Sequence, residues 1–434
     1  MIVLGIESSC DETAASVVKD GNELLSNVVF SSMDLHAVYG GVVPEIAARS
    51  HIESIIPVID QALESAFRLE MEEWRLKKLL PQSSVPNPQS FDPWSMIDAI
   101  SVTYGAGLGG SLLVGVMTAR TLAITKNKPL YAINHVEGHV YANFITKIGI
   151  SPRSEILNPK QTLKTLSWQI GDQTYQLPTK SPDFPILALI VSGGHSQLVL
   201  FRNHFDYTLL GQTRDDAIGE AFDKVAKIIG LPYPGGPSVA EAAKKGNSTK
   251  YKLPKSRLTG ESSALKVLRL EMEEWRLKKK QHPQSSVLSP QFKNHNYDFS
   301  FSGLKTAVLR LAQKEIGEDF TFPSHKVAER LSKPQQLDIA ASFQRIAIET
   351  VVDKTVLAFE ELKPKSVVIA GGVAANQELR RQLSDRIPVE IQFTDIKLCT
   401  DNGAMIATLG CYKAMLDQPT ADPYSLQIEP NLSM

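Results

Sequence analysis

Residues 1–21, MIVLGIESSCDETAASVVKDG, read as an apolar strand, a tight polar connection and a second strand closed by Asp20-Gly21. Residues 184–203, FPILALIVSGGHSQLVLFRN, repeat the plan, with Ser192, Gly193, Gly194 and His195 as the connection. Each hairpin opens a longer region in which strand-like and helix-like patterns mix. The expected fold class is therefore α/β, built as two related halves around a cleft. Loops of this kind can turn successive backbone N–H groups toward an anion.

Outward from the hairpins, 434 residues of 43% hydrophobic composition are enough to bury more than one core. Against 47 acidic residues stand 46 basic ones, a formal net charge of -1, so no overall field points to nucleic acid and any polyanion site must be local. Cys10, Cys399 and Cys411 are too few and too scattered for a disulfide framework or a thiolate zinc site, which suits a reducing compartment. The chain opens directly on an apolar strand, with no charged leader or cleavage signal, and a cytoplasmic location is expected. Ala99–Ala119 is an uncharged run of 21 residues, long enough to span a bilayer, but its five glycines and several hydroxyls read as buried strand, loop and helix. No membrane association is expected.

The sequence RLEMEEWRLKK occurs at 68–78 and again at 269–279, each copy followed within a few residues by PQSSV. Tandem structural repeats recur side by side, whereas these copies lie about 200 residues apart, so they read as inserted sequence with loop-like Pro/Ser/Gln stretches behind them. The expected organisation is a first half at 1–146 with an insert at about 68–90, a polar excursion at 147–184, and a second half at 185–434 with an insert at about 250–292. The C-terminal segment is a candidate to return to the first half.

Residues 132–140, AINHVEGHV, set His135 and His139 four apart, on one face if helical. A metalloprotease His-Glu-x-x-His motif needs its glutamate directly after the first histidine; Glu137 is instead turned about 200° from His135 at roughly 100° per residue. Gly138 also weakens the helix. Two readings remain open for the pair, metal ligands completed by a carboxylate from elsewhere, or ordinary packing. Residues 105–110, GAGLGG, fit a dinucleotide glycine pattern, but the next strand ends in Asn134 where an acidic residue would hold a ribose. No phosphate-binding G-x-x-x-x-G-K-[ST] motif occurs. PKSVVIAGGVAANQELRRQLSDRI (364–387) is a strand running through Gly371-Gly372 into a helix near Ala375, either a nucleotide site or a plain βα turn. Asp401 stands at the start of a small-residue helix, where an N-cap role is the plain reading. Asp223 lies on a helix with i,i+4 charge pairs, Glu220 with Lys224 and Asp223 with Lys227, which by itself marks a salt-bridged surface.

In order, GIESSCDET, HAVYGGVVPEIAARSH, NHVEGH, LIVSGGHSQL, GEAFDKVAKIIGLPYPGGPS, FSFSGLKT, AGGVAAN and CTDNGAMIA resemble the tRNA adenosine threonylcarbamoyltransferase family, TsaD in bacteria, across nearly the whole chain. The resemblance implies two ribonuclease-H-like halves of the actin-like, sugar-kinase-like ATPase fold around a nucleotide cleft. It implies transfer of a threonylcarbamoyl group from threonylcarbamoyl-AMP to the adenosine 3′ of the anticodon in tRNAs reading codons that begin with A. By motif, His135, His139 and Asp401 match the ligands of an iron or zinc ion. Ile190, Val191, Ser192, Gly193 and Gly194 match the loop that takes the adenylate, and Asp223, Gly236 and Asn376 the remaining ligand contacts. Asp11 and Glu12 are candidates to orient the incoming amine. TsaB-like and TsaE-like partners are implied as well as tRNA. Ala106 departs from the family, which usually has proline there, and the inserts would lengthen the chain beyond the usual family size. A small-molecule kinase of the same fold and a metal-dependent peptidase are the competing functions.

Overall fold

The computed structural model describes residues 1–79, 91–149, 165–170, 173–256 and 297–434. By internal contacts the chain forms two units, Met1–Ser181 with Thr400–Met434, and Pro182–Cys399.

The first unit begins with β1 (Ile2–Glu7), β2 (Glu12–Lys19) and β3 (Glu23–Ser31), followed by α1 (Met33–Ala37), α2 (Pro44–Ala66) and α3 (Arg68–Leu79). Then come β4 (Ala99–Gly105), α4 (Gly109–Lys126), β5 (Leu130–Asn134), α5 (His135–Tyr141), β6 (Lys147–Ile148), β7 (Thr165–Ile170) and β8 (Gln173–Pro178). The six-stranded sheet has the order β5-β4-β1-β2-β3-β6. β1 runs antiparallel to β2, with Val3 opposite Val18, and parallel to β4. Asp20 and Gly21, at φ 52° and 68°, turn the chain out of β2, as an aspartate and a glycine tolerate left-handed backbone.

The uncharged run Ala99–Ala119 divides into β4, the glycine loop and the start of α4; among the described residues no helix is long and apolar enough to cross a membrane. The first repeat copy forms most of α3, while the second copy and both PQSSV stretches lie outside the described residues. Within the polar stretch 147–184, the described residues include β7 and β8, which pair antiparallel, and Tyr175 and Leu177 of β8 are fully buried. Their period-2 spacing marks one inward face inside a polar stretch.

The second unit comprises β9 (Ile186–Val191), β10 (Ser196–Asn203), β11 (Asp206–Gln212), α6 (Ile218–Ile229), α7 (Gly235–Ala243), α8 (Ser302–Glu315), α9 (Ser324–Arg330) and α10 (Lys333–Leu362). It closes with β12 (Ser366–Ala370), α11 (Gln377–Arg386), β13 (Ile391–Gln392) and α12 (Ile396–Cys399). Its sheet order, β11-β10-β9-β12-β13, repeats β3-β2-β1-β4-β5: three antiparallel strands, then two parallel ones. The duplicated α/β plan read from the two hairpins is present in both sheets. One helix starts later than expected. Gly372–Ala375 form a single tight turn, and Asn376 caps α11 by accepting from the Glu378 and Leu379 N–H groups.

α13 (Gly403–Met415) then returns to the first unit, on β1 and β2. β1 is thus covered on both sides. Leu4 and Ile6 join Ile55, Ile59 and Val116 of α2 and α4 in one core, while Gly5 faces α13 so closely that a Cβ there would stand 2.3 Å from the Gly403 carbonyl oxygen. A strand buried on both faces explains the unbroken apolar run that opens the chain.

Candidate active site

α5 carries the histidine pair. Asn134 caps it, its side-chain oxygen accepting from Val136 and Glu137 N–H, so the helix starts at His135 and both imidazoles fall on one face. Gly138, costly for an isolated helix, has a packing reason: a Cβ there would stand 3.1 Å from Ile406 Cδ1 of α13. The small residue lets α5 approach the helix that Asp401 precedes.

Asp401 is not the cap of that helix. Asn402 is, accepting from the Met405 N–H, which leaves the Asp401 carboxylate to face the histidines. Its Oδ1 lies 3.5 Å from His135 Nε2 and 3.3 Å from His139 Nε2. Two ligands about 2.0–2.1 Å from one tetrahedral ion stand about 3.4 Å apart, so these separations fit a shared cation. Both ring nitrogens of His139 are buried without a hydrogen-bond partner, a costly state that a bound cation would relieve. Among the described residues this trio is the one His/Cys/Asp/Glu group whose ligand atoms converge within 4.8 Å. Iron and zinc both accept such a two-imidazole, one-carboxylate set with open positions.

Charges nearby are strongly perturbed. Burial opposes protonation of His135, but Asp401 and Glu7 outweigh it and raise the imidazole to about 9. Burial, Asp401 and Asp11 push Glu12 up to about 9, so it holds a proton at neutral pH; a cation at the trio would pull it down again. Glu137 is outside the trio. Burial raises its carboxyl to about 7 against the opposing charge of Lys413 on α13, not where a protease base would stand.

In the second unit, the hairpin turn between β9 and β10 presents bare backbone: nothing lies within 4 Å of where a Cβ would stand at Gly193 or Gly194. Three of the five loop residues are placed differently from Gly193 and Gly194. Ile190 and Val191 end β9 and are fully buried, so their side chains point into the core and only the turn beyond them is accessible. The Ser192 N–H is spent inside the turn on the His195 carbonyl, which leaves Gly193 and Gly194 to offer amides. The expected Asp223–Lys227 pair also gives way, because Asp223 accepts from the Gly235 N–H at 2.6 Å, whereas Glu220 and Lys224 do pair at 2.7 Å. That bond ties α6 to the start of α7, where Gly236 is open. Asn376 spends its oxygen on the cap and one amide hydrogen on Gln344 Oε1, leaving a single donor.

The chain matches the family described as TsaD, tRNA N6-adenosine threonylcarbamoyltransferase, over residues 23–74, 93–155 and 164–408. It belongs to the TsaD family.

A tRNA N6-adenosine threonylcarbamoyltransferase of Thermomicrobium roseum is 41% identical over 421 residues, covering 95% of this chain and 92% of the relative. One from Caldicellulosiruptor saccharolyticus is 38% identical, covering 100% and 98%. Such two-way coverage corrects the expectation about length, since these TsaD relatives are about as long as this chain. A solved structure, component A of the (R)-2-hydroxyglutaryl-CoA dehydratase of Acidaminococcus fermentans, covers 96% of the chain and 99% of its own at 16% identity, with a TM-score of 0.42.

Within the first unit of this TsaD chain, sequence reading passed over Glu7 and Ser9, which meet His135 Nδ1, and Thr103, which holds Glu7. The available signal was a carboxylate ending a strand otherwise written in apolar residues and glycine.

Proposed function

We propose that this chain transfers the threonylcarbamoyl group of threonylcarbamoyl-AMP to the exocyclic N6 amine of the adenosine 3′ of the anticodon, in tRNAs reading codons that begin with A. TsaD membership supports the reaction. The observation that carries the site is the convergence of His135, His139 and Asp401 across about 260 residues of sequence. A divalent ion, iron or zinc, held by these three would supply positive charge to the donor's phosphate or carbamoyl oxygens. The chain's own groups do the rest. Gly193 and Gly194 offer N–H groups to the adenylate at close range, since no Cβ intervenes. Asp223, anchored by the backbone N–H groups of Gly235 and Gly236, has lone pairs left for ribose hydroxyls, and Gly236 has open space where a side chain would stand. Asn376 gives its remaining amide hydrogen to the adenine or ribose. Asp11 and Glu12 orient the incoming amine.

The competing functions fare worse. A small-molecule kinase has no use for the two-histidine, one-aspartate set, and a peptidase of the His-Glu-x-x-His class needs a glutamate directly after His135, where Val136 stands. The direct test is nucleoside analysis of tRNA from cells depleted of the protein. Threonylcarbamoyladenosine is expected to fall several-fold; an undiminished level would sink the proposal.

A nearly neutral chain offers tRNA little long-range attraction, so a TsaB-like partner is proposed to supply part of the RNA surface, with a TsaE-like protein acting beside it. Exposed apolar side chains just after α1 and on α2, among them Val38 (87% exposed) and Ile52 (65%), support a protein partner on the first unit. The isolated chain is expected to modify tRNA poorly until a TsaB-like protein is added; tight tRNA binding and full modification by the chain alone would refute the partner. Three free thiols suit action in the cytoplasm.

A further inference from the structure

We infer that Glu7 is a positioning residue of the candidate metal site: it locks the His135 ring, with its proton on Nδ1, so that Nε2 faces Asp401. The inference rests on the metal reading of His135, His139 and Asp401.

Glu7 ends β1 and is 0% exposed. Burying a carboxylate costs several kcal/mol unless its oxygens find partners. Here both do. Oε1 accepts from the Ser9 N–H at 2.5 Å; Oε2 accepts from the Thr103 hydroxyl at 2.5 Å and stands 3.2 Å from His135 Nδ1. The Ser9 hydroxyl lies 3.1 Å from the same nitrogen. A carboxylate facing a bare nitrogen lone pair would be repelled, so the stable arrangement puts a proton on Nδ1, donated to Glu7. When a cation takes the place of the Nε2 proton, that orientation presents the Nε2 lone pair to it beside Asp401 Oδ1, 3.5 Å away. Carboxylates that receive the second N–H of a ligating histidine fix its orientation and raise its basicity as a ligand.

His139 is held differently. Neither of its ring nitrogens has a hydrogen bond, and its ring meets that of His135 edge-on at 4.7 Å between centroids. One imidazole is therefore preset by polar contacts and the other by packing. The effect of Glu7 should reach the metal through His135 alone.

The test uses the full-length chain, stripped of metal and titrated with cobalt(II) followed by visible absorbance, with helix content and Tm recorded alongside. Glu7→Gln keeps the shape and removes the charge. It is expected to weaken cobalt binding about 10- to 100-fold while the fold is retained. Unchanged affinity in a folded Glu7→Gln chain would overturn the inference. Should that variant fail to fold, the unsubstituted protein decides the matter when loaded with zinc and labelled with 15N-histidine, its His135 signal being assigned by loss in His135→Asn. An Nδ1–H tautomer supports the role, and an Nε2–H tautomer ends it. A wild-type chain that takes up no cobalt would instead remove the metal reading, and this inference with it, which sets that failure apart from equal binding by wild type and variant.

Discussion

His139→Ala is expected to lose bound metal and transfer activity together, the rate of threonylcarbamoyladenosine formation falling by about 10²- to 10³-fold or more, the range seen when one electrostatic stabiliser is removed. The side chain is 1% exposed, yet neither ring nitrogen makes a hydrogen bond, so its loss strands no polar partner. What goes is one of three converging ligand atoms. The remaining pair, His135 and Asp401, leaves a cation with two protein ligands, fewer than the three typical of a catalytic zinc site. The variant should fold, which separates this result from general damage, and elemental analysis of purified protein beside a single-turnover transfer assay reads both quantities. A metal-free variant with full activity would take the metal out of the chemistry.

Gly5→Ala should be strongly destabilising to the first unit. A Cβ at Gly5 would stand 2.3 Å from the Gly403 carbonyl oxygen and 2.4 Å from the Ala407 amide nitrogen, both backbone atoms of α13. Neither can rotate away, so the helix must shift. The cost is expected to be about 3 kcal/mol, the upper end of the usual overpacking penalty. At about 2–4 °C per kcal/mol for a domain of this size, Tm should fall by roughly 5 °C or more. Because Asp401 lies two residues ahead of Gly403, the same shift should draw the carboxylate from the histidines and weaken metal binding. Gly193→Ala is the control: its Cβ enters open space, so Tm should not move. Equal Tm values for the two variants would mean that α13 does not need this close approach.

Much of this was open to a linear reading because the responsible physics is local. The two hairpins, their turn residues and the alternation of apolar strands with helices follow from side-chain period and backbone preference, and the repeated sheet order bears them out. His135 and His139 share a helix turn, so their common face was legible from spacing alone.

Other features needed the folded chain. Whether Asp401 caps its helix or faces the histidines depends on Asn402 taking the cap, a competition between neighbours that spacing cannot rank. The small inward face of β8 hides in a polar stretch because two buried residues, Tyr175 and Leu177, are too few to make a pattern. That Ile190 and Val191 end a buried strand, with only the turn beyond them exposed, also needed the folded chain. Glu7 gave no warning beyond being a charge at the end of an apolar strand, since its meaning lies in Thr103 and His135, brought beside it by β4 and α5. Local backbone and side-chain chemistry thus wrote the elements and the histidine pair. The meeting of Asp401 with the histidines, the carboxylate behind His135 and the close glycine contact of β1 with α13 came from packing, because each is a distance between residues far apart in the chain.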